Sequence, residues 1–436
     1  MPERRAPKSS FFCCGRAIDP YKGEDRSLVA GSLGTGTMLT SKAGQSVGFF
    51  SYHGWEKQGM LMKEVRPKIN QDRVFITPKL CNSPTSWLFC VYDGNGPKGE
   101  KVAQEAGAGI VEAIESNVER VSNPACDAPS VLKRAFVETN KQVAKLPFAE
   151  ASGCTATVVV VQDLRTLIVA NVGDSKAVLG QGGTGTLDLW KAKVLTAEHK
   201  PSLPEEKARI EAAGGFVLED EDYGAARVFD NPDPIGQMVA MAGAGMGGIG
   251  GAPLIGLGQP WPGLAMSRCI GHTGVEKIGI TAEPTVSKHS LSAEDRVMII
   301  ASDGVWDYVS SDEACAYAKQ FAPDAHSACK AIVETASQRW IEDDPTYSDD
   351  ISCVVVYLPM EASMSSSISH ETVAYTEDSA SALSAANSGG AEPHMQQAIA
   401  TGGSQHTTAG GSAESRAARI KASKEQQKRS VVTRFG

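Results

Sequence analysis

Short apolar runs that stop on acidic residues and glycines set the pattern of this chain. Trp87-Leu-Phe-Cys-Val-Tyr92 ends on Asp93-Gly94, and Val297-Met-Ile-Ile-Ala-Ser302 ends on Asp303-Gly304. Such runs predict strands at Val74–Ile76, Trp87–Tyr92, Thr155–Val161, Thr166–Asn171, Ala192–Leu195, Arg296–Ala301 and Ile351–Leu358, rich in Val and Ile and several of them bounded by Gly, Asp or Asn. Helical spacing predicts helices at Lys98–Val121, Ala128–Lys145, Pro204–Ala213, Asp312–Phe321 and His326–Trp340. In the second, Val131, Leu132, Ala135, Phe136 and Val143 share a face, with Asp127 or Ser130 as its cap. The link Gln162-Asp-Leu-Arg165 is too short for a parallel crossover, so the strands beside it form an antiparallel hairpin. Helices come in pairs rather than between every strand. The predicted class is α+β, sheets with helices outside them.

A strand end holds a carboxylate more firmly than a loop, and glycine beside it lets a ligand or carbonyl approach. Further acids stand next to apolar runs: Asp72, Asp174, and the pair Asp349-Asp350. So many acids beside buried strands need compensation, which divalent cations supply most simply.

Composition narrows the class. The formal net charge of -9 gives no nucleic-acid footprint. Ten cysteines without CxxC or Cys/His zinc spacing suit free thiols in a reducing compartment. The expected compartment is cytoplasmic or nuclear. Residues 1–47 form a variable N-terminal segment with no secretory h-region, and residues 48–360 the dense domain. Within it, Pro234–Ser267 carries no charge and is rich in Gly, Ala and Met; its glycines and Pro253, Pro260 and Pro262 argue for a surface insertion (about 231–260) over a membrane span. Residues 361–410 hold five acids and no Lys or Arg, and residues 411–436 hold seven Lys/Arg, so 361–436 is expected to be a disordered tail, acidic and polar first and then basic. Its basic end could dock on a partner or a membrane surface, and Cys13-Cys14 beside Phe11-Phe12 could accept palmitate or remain plain thiols. A monomer without a transmembrane segment is expected.

Taken in order, eight motifs within residues 48–360 resemble the metal-dependent Ser/Thr protein phosphatases of the PP2C (PPM) family. They are Asn70-Gln-Asp72, Val91-Tyr-Asp-Gly-Asn-Gly96, Ser152-Gly-Cys-Thr-Ala156, Ala170-Asn-Val-Gly-Asp-Ser175, Leu195-Thr-Ala-Glu-His-Lys-Pro201, Pro262-Gly-Leu-Ala-Met-Ser-Arg268, Ala301-Ser-Asp-Gly-Val-Trp-Asp307 and Asp349-Asp-Ile-Ser352. The resemblance implies a central antiparallel β-sandwich flanked by helix pairs, in α-β-β-α layers, with two Mg2+ or Mn2+ ions at one end. Asp93 would bridge the ions, the Gly94 carbonyl, Asp303 and Asp349 would ligate directly, and Asp72 would act through water. Asp174, Asp303 and Asp307 would match a third ion, with Asp174 alternatively a turn residue. The all-oxygen donor set independently suits a hard cation. A metal-bridging hydroxide would attack the phosphorus of phosphoserine or phosphothreonine in a protein substrate. No Cys-x5-Arg loop is present for thiolate chemistry.

Three positions depart from the family pattern. Asn95 stands where the family has the histidine thought to protonate the leaving oxygen, and an amide supplies no proton near neutrality. Gln71 replaces a common Glu, and His272 follows Gly271 where Gly-Asp is usual. The phosphate-guiding arginine has only a near match in Arg66, while His199 and Arg268 fit supporting roles. The expectation is a Ser/Thr phosphatase with reduced activity; the alternative is a weak or inactive relative that binds phosphoproteins or scaffolds a complex.

Overall fold

The computed structural model describes residues 38–41, 44–57, 65–78, 80–83, 85–117, 127–185, 188–219, 226–233 and 263–358. Cys13, Cys14, most of the 231–260 insertion and the whole of 361–436 lie outside these residues.

Two antiparallel sheets stack face to face. One runs in spatial order Met38–Ser41, Gly44–Tyr52, Ile351–Tyr357, Asp295–Ala301, Lys176–Gln181, Lys191–Val194; the other runs Thr285–Ser290, Thr166–Val172, Ala156–Gln162, Trp87–Tyr92, Arg73–Pro78. The central strands are buried on both faces, which explains why their sequences are continuous apolar runs rather than alternating ones. In Trp87–Tyr92 the odd residues Trp87, Phe89 and Val91 point between the sheets, meeting Val159, Met298, Ile300, Val354 and Val356. The even residues Leu88, Cys90 and Tyr92 point outward, under helices α1 (Gly99–Glu115) and α2 (Ala128–Val143). On the other side Val297, Ile299, Cys353 and Val355 meet the outer helices, among them Ala318, Ile332 and Trp340.

Four further α-helices stand among the described residues: α3 (Pro204–Ala212), the single turn α4 (Asp303–Trp306), α5 (Ser311–Phe321) and α6 (Ala325–Asp343). The layers are therefore α-β-β-α, as the motif resemblance implied. Caps follow the sequence: Asp127 accepts from the Ser130 amide, and Asp324 accepts from the amides of His326 and Ser327. The seven described cysteines are all free, and no helix among the described residues is long and apolar enough to cross a membrane.

The Gln162–Arg165 link is the expected hairpin, pairing Thr166 with Gln162 through Val172 with Ala156. In the two large sheets four strands carried no readable sequence signal: Met38–Ser41, Gly44–Tyr52, Lys176–Gln181 and Thr285–Ser290. Helix α1 stops at Glu115, short of the expected Val121.

Candidate active site

Strand ends from both sheets bring the acids together. Asp93 follows Trp87–Tyr92 and Asp72 precedes Arg73–Pro78, both on one sheet. Asp303 follows Asp295–Ala301, and Asp349 and Asp350 precede Ile351–Tyr357, all on the other. Asp174 sits in the turn by which the chain crosses from Thr166–Val172 to Lys176–Gln181, from one sheet to its neighbour.

Their charges oppose one another. Burial pushes the Asp93 carboxyl well above the ordinary carboxylate range, and Asp303, Asp72, Asp349 and Asp174 push it further. Burial followed by Asp174, Asp349 and Asp307 does the same to Asp303, against a hydrogen bond from Asp93 that pulls the other way. Asp72 is raised to about 7, by burial and then by Asp350. Asp174 is raised by burial, although Lys200 opposes the shift. Oδ1 of Asp72, of Asp174 and of Asp303 is buried with no hydrogen-bond partner. Unpaired buried carboxylate oxygens are the donor chemistry of a hard cation. Among the described residues, no three acidic, histidine or cysteine side chains stand at ion-holding spacing, so closing around a metal requires the carboxylates to turn.

A polar lattice fixes the backbone beneath them. Ser302 Oγ donates to Asp72 Oδ2 (2.8 Å) and accepts from the Ser352 amide (3.0 Å), tying one sheet's acid to the central strands of the other. Asn70 Oδ1 accepts from the Asp72 amide (3.0 Å). Asp350 is occupied by backbone, accepting from the amides of Gly54 (2.6 Å) and Gln71 (2.9 Å), and so acts as a strut between loops. The Asp93 amide donates to Thr155 Oγ1 (3.0 Å), and Asp93 O accepts from the Thr155 amide (2.8 Å). Gly94 is tightly enclosed: a Cβ there would lie 2.5 Å from Gly99 O and 2.6 Å from Gln71 O. Gln71 donates to Gly96 O (2.8 Å) and bridges to Glu100 (3.3 Å), closing the loop after Gly94.

The other expected residues stand in separate settings. Asp307 caps the end of α4, where it adds to the charge on Asp303 and Asp174. His199 is buried against the turn that carries Asp174; its Nδ1 accepts from the Gly173 amide (3.2 Å), and burial lowers its pKa to about 4. Arg268 is spent on Glu206 and on the Glu283 carbonyl (3.1 Å). Arg66 is exposed on Val65–Pro67, paired across the strand with Glu56.

Sequence reasoning passed over Lys68. Its Nζ stands 2.5 Å from Asp349 Oδ1 and 3.8 Å from Asp350 Oδ2, over the Tyr347 ring at 5.3 Å. Burial alone would lower its pKa, but Asp349 and Asp350 outweigh burial and hold the ammonium firmly charged. The signal was there: Lys68 stands two residues before Asn70-Gln-Asp72. Lys200 is a second such cation, held charged by Asp174, Glu198, Asp307 and Asp303 against the effect of burial.

Residue 95 lies on Gly94–Asn95, which pairs with Gly153–Cys154, which in turn pairs with Ile270–Gly271. This small sheet brings His272 to Asn95, and the His272 Nε2 hydrogen-bonds to Asn95 Oδ1.

Comparison with known proteins converges on one family. The family described as Protein phosphatase 2C matches residues 55–344. "Probable protein phosphatase 2C 61" of Arabidopsis thaliana is 32% identical over 279 residues, covering 62% of this chain and 75% of that protein. "Probable protein phosphatase 2C 6" of Arabidopsis thaliana is 29% identical, covering 67% of this chain and 61% of that protein, and "Probable protein phosphatase 2C 12" of Oryza sativa subsp. japonica is 38% identical, covering 48% and 46%. The matches thus span about half to three-quarters of these relatives. In three dimensions the chain is similar to the serine-threonine phosphatase 2C from Toxoplasma gondii, with TM-score 0.56 and 20% identity, covering 74% of this chain and 98% of the other.

Proposed function

The chain belongs to the protein phosphatase 2C family, and on that premise we propose that it hydrolyses phosphoserine and phosphothreonine in proteins with Mg2+ or Mn2+. The observation that carries this reading is the mutually repelling cluster of buried Asp72 and half-buried Asp93, Asp303 and Asp349, gathered from strand ends of both sheets. Asp93, the Gly94 carbonyl, Asp303 and Asp349 would hold two ions directly, Asp72 would hold one through water, and Asp174, Asp303 and Asp307 would hold a third. Bound there, the cations would supply a water of lowered pKa and neutralise phosphoryl charge. The chain's own residues do the rest. The strand ends fix the backbone that carries the carboxylates, Lys68 and Lys200 balance charge at the rim, and Arg66 offers an exposed guanidinium to an arriving phosphate.

Asn95 favours a second reading, a weak or inactive relative that captures phosphoproteins, because a carboxamide delivers no proton to a serine or threonine alkoxide. The deciding experiment compares wild type with Asp303→Ala for Mn2+-dependent turnover of a phosphothreonine peptide, with metal binding followed by calorimetry. Wild type is expected to exceed the variant by at least about 10²-fold. Equal rates with metal still bound by wild type would leave the capture reading standing.

A further inference from the structure

Two departures from the family pattern, 177 residues apart in sequence, meet in space. His272 is buried, and Asn95 is partly exposed beside Gly94. The imidazole Nε2 faces Asn95 Oδ1, and the other end of the carboxamide, Nδ2, lies 3.9 Å from Met266 Sδ. Thioether sulfur is a weak acceptor, so that amide group keeps nearly all its donor capacity for a stronger partner.

The neighbours fix this arrangement. His272 takes a left-handed backbone (φ 50°), which His, Asp and Asn tolerate better than most residues. Its amide donates to Ser152 O (2.8 Å) and its carbonyl accepts from the Val275 amide (3.0 Å). Gly153 makes room for the ring, since a Cβ there would lie 2.3 Å from His272 Cδ2. Turning the carboxamide over would face Asn95 Oδ1 toward sulfur lone pairs and give an incoming phosphate an acceptor instead of a donor. An aspartate at 272 would enforce that wrong orientation, because a carboxylate only accepts. The residues at 95 and 272 are therefore one exchange rather than two losses.

We propose that His272 is the positioning residue for Asn95: its Nε2–H donates to Asn95 Oδ1 and holds the Nδ2 amide toward the cleft as a fixed, non-ionising donor, which makes the site selective for phosphoesters whose leaving oxygen departs without being protonated, aryl phosphates first. Burial, which keeps His272 neutral by lowering its pKa to about 4, leaves the ring a single proton for that bond. The proposal rests on the phosphatase reading above.

The test has two arms. In full-length protein labelled with 15N at histidine, the His272 shifts should report the Nε2–H tautomer at pH 7; the Nδ1–H tautomer would overturn the proposal, and this arm needs no variant and no activity. Kinetically, kcat/KM is measured with Mn2+ over aryl phosphates of graded leaving-group pKa and over a phosphothreonine peptide. Wild type should show a steep dependence on leaving-group pKa. Asn95→His with His272→Asp together should flatten it, raising peptide turnover by about 10²-fold with little change on the most acidic aryl ester. Each single substitution should do far less, while His272→Gln, which can still donate, should keep the wild-type slope. Equal gains from Asn95→His alone and from the pair would overturn the coupling. Absence of all metal-dependent turnover in wild type would sink the phosphatase reading instead, with the tautomer still deciding the pair.

Discussion

The two Asp-Gly strand ends look alike in sequence and are held in opposite ways. Asp303-Gly304 opens α4, and packing clamps it: Trp306 Nε1 donates to Ala301 O and Trp340 Nε1 to Gly304 O, each at 2.8 Å, and a Cβ on Gly304 would lie 2.0 Å from Asp350 O. Asp93-Gly94 runs into a three-strand patch of two-residue strands, closed by the Asn95–His272 contact and the side chain of Gln71. Apolar packing tolerates little change, whereas a polar patch can trade partners when both sides change together. All three departures from the family pattern, at 71, 95 and 272, fall in the second region.

The broadest way to test this contrast acts on both ends at once, through their shared charge. Asp72, Asp93, Asp174, Asp303 and Asp350 all have raised pKa values in the fold, so the folded protein binds protons more tightly than the unfolded chain. Stability from this source is present below the unfolded carboxylate range and is lost as pH rises through the folded values, to about 7 for Asp72 and about 6 for Asp350. Chelator-treated protein should therefore unfold more easily at pH 8 than at pH 5.5, with Asp72 alone contributing ~2 kcal/mol over that interval, and Mn2+ should erase the difference. A flat denaturant midpoint across that range would break the argument.

Gly304→Ala strikes the packed end alone. The new methyl meets backbone that cannot step aside, so a loss of about 3 kcal/mol is expected in urea unfolding. A loss near zero would mean this end is no more rigid than the other. The smallest effect concerns Lys68, whose ammonium occupies Asp349. Lys68→Met should tighten Mn2+ binding about tenfold, equivalent to ~1.4 kcal/mol, while lowering the Tm of the metal-free protein. Unchanged affinity in calorimetry would show that the lysine and the ion do not compete.

Legibility in the sequence followed the same division. Trp87–Tyr92 and Ile351–Tyr357 announce themselves because burial on both faces demands continuous apolar residues. Thr285-Val-Ser-Lys-His-Ser290 is a half-exposed edge strand with no such demand, and its hydrogen bonds to Thr166–Asn171 leave no mark in composition. Gly44–Tyr52 was masked by glycine; Gly48 is there because a Cβ would lie 2.6 Å from the backbone of Ala325 on α6. One-turn α4 is too short for periodicity. At the site, the order of the acids was readable because each ends or begins a strand. Lys68 resembled any surface lysine, and nothing local tied His272 to Asn95, because their meeting depends on two strand pairings through Gly153–Cys154.

The pairing of Gly44–Tyr52 with Ile351–Tyr357 carries a consequence for biosynthesis. The second-to-last strand of one sheet must wait for its neighbour until the ribosome has made nearly the whole domain, while Trp87–Tyr92, Ala156–Gln162 and Thr166–Val172 can zip together long before. Asp349 arrives with that late strand. The nascent chain is thus spared the full repulsion of the acid cluster until its final step, and any cation that steadies the cluster would act as the latch on a nearly finished molecule.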